Sequence, residues 1–483
     1  MGAPEIGTVA IPDNPPSDTA KESIVVIDLS LIGLYLLLVL GVGWLGWKRT
    51  KTRDDYAVAG RRLAPLMFTG TMATTVLGGA ATMGSMGLGY QYGISGLWLA
   101  TSLGMGLIGL SLFLVTPLLK LNLHTVTQVL ALRYRPRVRL LGAAIMMVYD
   151  LMVAVTSIIA IGSIIEVLLG IPFLYAIWIG GGVVVVYVFL GGMWSLTMTD
   201  IFQFIMMTVG LLFILMPASV IHAGGWQNMR HILPEGFFSL THIGLPNIIT
   251  YFLIYCLGMF IGQDIWQRMF TARSANVARW GGFVAGVYCI VWGVMGAIIG
   301  MSCRVFLPDI GNPDTVFMSA VQTVLPVGLR GIVIAASLAA LMSTASACMM
   351  ATSTLFVYDI YAAIFKKEKC SIKTDRCATL AFGISILILA SLIGDVITAL
   401  TVAYNILVGV LLVPLIGAIC WQRSSTTGAI SAMVSSAIII IYFMTRYGLQ
   451  ANSVTYYGLL ANLVTFVTIS LLWPDFRTPT PQN

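Results

Sequence analysis

Thr74-Thr75-Val76-Leu77-Gly78-Gly79-Ala80-Ala81-Thr82-Met83-Gly84-Ser85-Met86-Gly87-Leu88-Gly89-Tyr90 belongs to an apolar run of membrane-helix length, yet five glycines crowd into half of it. Each glycine costs roughly 1 kcal/mol against alanine inside a helix. Such a stretch either lets helices pack closely through small residues, or it breaks, with freed carbonyls turned toward a cation or a substrate. Interrupted helices of the second kind mark binding sites in secondary transporters. Gly258 and Gly262 interrupt a later run more mildly.

The rest of the chain supplies the same solvent for that run. Of 483 residues, 58% are hydrophobic and 9% charged, whereas a soluble domain is about one quarter charged. Too little polar surface is present to coat a ball of this size in water. The apolar residues fall in runs of roughly 20, the length that crosses a bilayer core of about 30 Å. Hydropathy gives 13 spans, at about 25–47, 66–91, 95–119, 139–170, 172–193, 198–222, 245–267, 278–303, 329–362, 376–394, 397–420, 427–446 and 454–473. The fold class is an all-α polytopic membrane protein, with a transmembrane domain over 25–473 and no soluble domain.

The net charge of +7 does not point to nucleic acid, because the basic residues sit in short loops between apolar runs. Lys48, Arg49, Lys51, Arg53, Arg61, Arg62, Lys120, Arg133, Arg135, Arg137, Arg139, Arg268, Arg273, Arg279, Lys366, Lys367, Lys369, Lys373, Arg376, Arg423 and Arg477 fall on one side, 21 in all. Lys21, Arg230, Arg304, Arg330 and Arg446 fall on the other, five in all. The rich side is cytoplasmic by the positive-inside rule. The polar tail 1–24 is then outside and the tail 474–483 inside, as an odd number of spans requires. Cys256, Cys289, Cys303, Cys348, Cys370, Cys377 and Cys420 lack metal or redox spacing and read as reduced, mostly as packing residues.

Polar groups inside spans each need a reason. Asp28, Glu166, Asp264 and Asp395 are placed near span ends, where capping or snorkelling accounts for them. Asp200, in Thr199-Asp200-Ile201-Phe202-Gln203, either caps the sixth span or faces the ninth as an ion ligand. Asp150, beside Tyr149 in the fourth span, is either an interfacial residue or a buried carboxylate suited to a cationic solute. In the ninth span Ala340, Ser343, Thr344 and Ala347 share one helical face, with Ser346 a turn from Ser343. Those hydroxyls either bond their own backbone or offer neutral oxygens to Na⁺, a hard cation that needs oxygen in place of its water.

Taken together, these elements resemble the sodium:solute symporter family over about residues 30–470. Asp55-Tyr56-Ala57-Val58-Ala59-Gly60-Arg61 resembles its loop after the first span. Gly191-Gly192, Thr199-Asp200 with Gln203, and Gln267-Arg268 match further motifs. The strongest likeness runs from Leu325-Pro326 and Gly331 through Ala339-Ala340-Leu341-Met342-Ser343-Thr344 to Tyr358-Asp359-Ile360-Tyr361. The resemblance implies the LeuT-like inverted five-plus-five repeat, spans two to six and seven to eleven, with extra helices at both ends. It implies a sodium site built from the carbonyls of Thr74, Leu77 and Ala340 and the hydroxyls of Ser343 and Thr344. It also implies a second ion or release site at Asp200 and Ser346, although Ala347 replaces a serine that some members use there. Asp150 lies about one turn from where members contact substrate, so Asp150, Val153 and Ala81 are the candidate substrate contacts.

The expected function is sodium-coupled uptake of a small organic solute by alternating access across the plasma (inner) membrane, with Na⁺ as the coupling ion. The expected partners are that solute and the lipid bilayer, with no obligatory protein partner. The alternatives are a proton-coupled carrier on the same fold, with Asp200 as its proton site, and a non-transporting membrane sensor. An enzyme is not expected: the chain shows no nucleophile–base pair, HExxH, P-loop or GxSxG, and His124, His222, His231 and His242 show no ligand spacing. The pocket spans offer no arginine for a carboxylate substrate.

Overall fold

The computed structural model describes residues 18–365, 371–393 and 396–475. The tail residues 1–17, Lys366, Lys367, Lys369, Cys370, Asp395 and Arg477 lie outside the described residues. Every regular element among the described residues is helical.

Among the described residues, ten helical stretches are long and apolar enough to cross a membrane. Two of them, Ala80–Leu119 and Phe173–His222, are 40 and 50 residues long, far more than one crossing needs. The first contains a break at Gly93, whose backbone (φ 70, ψ −143) is not helical. Its 80–92 part continues the helix Pro65–Val76, and 98–119 is a separate span. The second turns at Gly192 (φ 53, ψ −135). A straight helix would hold Tyr187 and Gln203 about 24 Å apart. Instead Tyr187 donates to the Met342 carbonyl at 3.1 Å, Tyr35 reaches Met342 Sδ at 3.7 Å, and Gln203 reaches the Tyr35 hydroxyl at 3.4 Å. The fifth and sixth spans are therefore a tight hairpin. Only glycine serves at the turn, since its φ is positive and a Cβ there would lie 2.5 Å from the Tyr56 carbonyl.

Splitting those two stretches and adding the discontinuous Leu245–Cys256 with Gln263–Met269 gives thirteen spans, the number hydropathy predicts. The sixth starts directly after Gly192 rather than at 198, because the hairpin needs no loop. The second and seventh spans, the first of each five-helix repeat, are the two that break. The second is interrupted at 77–78, where Leu77 leaves the helical region (φ −93, ψ 53). The seventh, the milder case in sequence, has the longer interruption, at 259–262, before the helix of 263–269.

The ninth span (Leu329–Phe365) is the central post, buried along nearly its whole length. Asp28 of the first span fixes its start, accepting the Gly328 and Gly331 N–H groups at 2.8 and 3.0 Å. Capping thus accounts for Asp28, but of another helix. The first, twelfth and thirteenth spans lie outside the repeats and turn Leu37, Ile438, Ile441 and Leu460 outward, as lipid-facing helices do. Buried Asn462 ties the last three spans together, donating to the Val410 carbonyl at 2.8 Å and to Ser436 Oγ at 2.9 Å.

Candidate functional site

The interruption of the second span lies directly against the ninth. Thr344 Oγ1 donates to the Thr75 carbonyl at 2.8 Å. Gly78 makes this approach feasible, since a Cβ there would stand 2.6 Å from Thr344 Oγ1. The first half-helix ends in the buried interior, so its last carbonyls lack partners further along the helix. The Thr74 carbonyl takes the Leu77 N–H at 3.3 Å, and the Leu77 carbonyl takes Thr82 Oγ1 at 3.1 Å. These oxygens form the negative end of a half-helix dipole, which favours a cation.

Thr74, Leu77, Ala340, Ser343 and Thr344 are all buried around this junction. The structure brings the Thr75 carbonyl, rather than that of Thr74, to Thr344. Ser343 Oγ is turned to Asp200 Oδ1 at 2.6 Å. Ser346 donates to the Ser343 carbonyl at 2.8 Å and is not bonded to Asp200; a hydroxyl three residues on finds its own helix backbone first.

Asp200 does not cap a helix, because the sixth span begins two turns before it. It accepts from Ser343 and Thr71 and pairs with Arg268 at 3.1 Å, both partners wholly buried. Arg268 is therefore not a loop residue, as charge counting placed it. The seventh span re-enters the protein after its break and carries Arg268 into the core on the half-helix Gln263–Met269. Asp264 is corrected for the same reason. It is 3% exposed, in the first turn of that buried half-helix, and does not snorkel. Asp150 is 0% exposed, about 20 Å along the fourth span from its start, which excludes an interfacial position.

A central cavity of about 30 Å³ is lined by Ala81, Thr75, Gly78, Thr344, Val153 and Asp264, among others. Two of the three candidate substrate contacts, Val153 and Ala81, thus meet in one space, with Asp150 behind Asp264. A larger cavity of about 420 Å³ lies above it, rimmed by exposed Gln91, Asn312 and Gln450. Ala80, Tyr255 and Leu400 line both cavities and form the constriction between them. The opposite face is sealed. Arg53 pairs with Asp375 at 2.9 Å, His124 with Asp54 at 2.8 Å and Arg139 with Asp359 at 2.6 Å. Gln267 donates to the Ala57 carbonyl and to Thr354, both at 2.8 Å. The sequence motifs around Asp55, Gln267 and Asp359 thus converge on that seal. Burial lowers the pKa of the His124 imidazole, and the Asp54 carboxylate opposes the shift.

A discontinuous helix at the head of each five-span repeat, crossing a buried hydroxyl-bearing post beneath an open vestibule, defines a multi-pass secondary transporter. The Sodium:solute symporter family matches residues 56–435, and the chain belongs to it; the coupling ion is Na⁺. The sodium/proline symporter of Staphylococcus aureus is 24% identical over 452 residues, covering 86% of this chain and 85% of that protein. A Na⁺-coupled sialic acid symporter, in a substrate-bound outward-open state, superposes with a TM-score of 0.83 at 20% identity, over 94% of this chain and 99% of its own. Mhp1, a nucleobase-cation-symport-1 family transporter, superposes with a TM-score of 0.54 at 15% identity, over 86% of this chain and 94% of its own. These two likenesses concern the fold.

Proposed function

We propose that this protein takes up a small organic solute together with Na⁺ by alternating access across the plasma (inner) membrane. The observation that carries this reading is the seat of Thr344 against the interrupted second span, at the wall of the central cavity. The carbonyls of Thr74, Leu77 and Ala340 and the hydroxyls of Ser343 and Thr344 hold the ion. Val153 and Ala81 contact the solute, and Asp200 orients Ser343 and assists ion release. Basic residues crowd the sealed face, so that face is cytoplasmic, with the N-terminus outside and the C-terminus inside. The vestibule then opens outward, and sodium entering through it draws the two helices together around the solute. Release inward requires the ion pairs of the sealed face to part as the repeats rock.

The membrane potential contributes about 2.3 kcal/mol per charge per 100 mV, which supports more than tenfold accumulation of a neutral solute per Na⁺. Asp200 is engaged by Arg268 at 3.1 Å, and the neutral oxygens of the junction suit a hard cation, which favours sodium over proton coupling. The test is solute uptake into proteoliposomes under imposed gradients, after a thermal-shift screen with and without Na⁺. Uptake is expected to follow Na⁺; uptake that ignores Na⁺ and follows H⁺ overturns the proposal.

A further inference from the structure

Beside the central cavity lies a group that the sodium site does not use. One carboxylate oxygen each of Asp150 and Asp264 and the thiol sulfur of Cys348 lie within 4.8 Å of one another, all buried. Neither oxygen of Asp150 accepts a hydrogen bond of normal geometry, and Asp264 Oδ1, on a residue that lines the cavity, is likewise unpartnered. The other oxygen of Asp264 accepts from Cys348 Sγ, at 3.9 Å. Arg268, one turn from Asp264, is engaged with Asp200.

Two buried carboxylates this close are costly unless a positive charge joins them. Three carboxylates (Asp150, Asp264, Asp200) and one guanidinium (Arg268) sum to −2 when ionised. One sodium ion and one monovalent cationic solute bring that sum to zero. A row of rings leads to the pair: Tyr251 and Tyr255 in the vestibule wall, then Tyr404, then Tyr149. Their centroids are 5.6 Å apart for the first pair, 4.9 Å for Tyr255 and Tyr404, and 5.0 Å for Tyr404 and Tyr149. Ring faces attract organic cations. Among the described residues, neither cavity has a lysine or arginine in its lining, while Leu103, Met259, Ile265 and Leu400 give the inner one a hydrocarbon wall. That wall suits an organic ion better than a bare metal ion.

Resting on the uptake reading above, we infer that the solute is an organic ammonium ion whose charged nitrogen is held by Asp264 and Asp150. The test uses purified protein, with thermal unfolding read in Na⁺ and in K⁺ buffer. The probes are primary alkylammonium ions of two to five carbons and tetramethylammonium, each against the alcohol of similar size. In Na⁺, the cations are expected to stabilise at concentrations at least tenfold below their neutral counterparts. Asp264→Asn and Asp150→Asn are expected to raise the half-effect concentration at least tenfold, with partial recovery in Asp264→Glu. Alcohols that match the cations, no shift by any cation of the series, or a carboxylate-dependent shift by Mn²⁺ or Zn²⁺ in place of ammonium would each overturn the inference. A missing response of the wild-type protein to Na⁺ itself, with the ammonium preference intact in K⁺, would instead overturn the sodium site.

Discussion

Gly78→Ala places a methyl group 2.6 Å from Thr344 Oγ1, 2.8 Å from its Cγ2 and 2.9 Å from its Cβ. Every close atom belongs to one side chain on the neighbouring helix, so the perturbation aims at the junction of the second and ninth spans. Forcing a methyl group into packed space costs about 1–3 kcal/mol. If that falls on the sodium-bound state, half-saturation by Na⁺ rises roughly five- to 150-fold. Alanine is also the better helix former by about 1 kcal/mol. At a position just beyond the end of a half-helix, that preference works toward closing the interruption, in the same direction as the clash. Thr344→Ala removes two of the three close atoms, so Gly78→Ala costs less in that background, with a coupling of about 0.5–3 kcal/mol. The assay is the Na⁺ dependence of thermal unfolding, and then of uptake, for wild type, both single variants and the double. Half-saturation within twofold of wild type in Gly78→Ala, or costs that simply add, refutes the claim that this junction binds the ion.

Arg268→Gln strands the Asp200 carboxylate in the core, a loss of about 3–5 kcal/mol that should appear as a lower unfolding temperature; Asp200→Asn in the same molecule should restore much of it, and no recovery would refute the pairing. Ser343→Ala removes a hydrogen bond to a charged group, about 1.5–3 kcal/mol, and should raise the Na⁺ half-saturation more than tenfold, whereas a stability loss with an unmoved sodium curve would reduce Ser343 to a clamp. Asp359→Asn frees Arg139 and should increase amide hydrogen exchange over 122–139 and 354–361; unchanged protection would mean that the ion pair does not hold the sealed face. Because burial lowers the His124 pKa in the folded protein, the unfolded chain takes up that proton first on acidification. The contribution is full above the unfolded value of about 6.5 and is lost as pH falls through the lower folded value. The unfolding temperature should decline across that window with a shallower slope in His124→Gln, and equal slopes would refute the assignment.

Much of the architecture was legible because lipid imposes period, length and charge asymmetry on the chain. The glycines of the second span allowed either an interruption or close packing, and both occur: the break lies at Leu77-Gly78, while Gly87 and Gly89 pack against Pro313 and Ala297. Asp264 and Arg268 were misplaced for one physical reason. Hydropathy treats the end of an apolar run as the water boundary, but the seventh span breaks inside the protein and its polar second half stays buried. The i, i+4 spacing of Asp264 and Arg268, with Gln263 and Gln267 between apolar neighbours on the same short stretch, was the available signal. Cys348 reads as packing and is buried, but its place beside Asp150 and Asp264 follows from the convergence of the fourth, seventh and ninth spans, which sequence does not show. Asp200 looked like a cap only because a hairpin without a loop hides where the sixth helix starts.

The narrowing at Ala80, Tyr255 and Leu400 makes the protein a two-chamber sieve. A molecule that fills the roomy antechamber but is too broad for the neck would act as a cork, halting flux without ever becoming cargo. Inhibitors and passengers can therefore share a headgroup and differ only in girth.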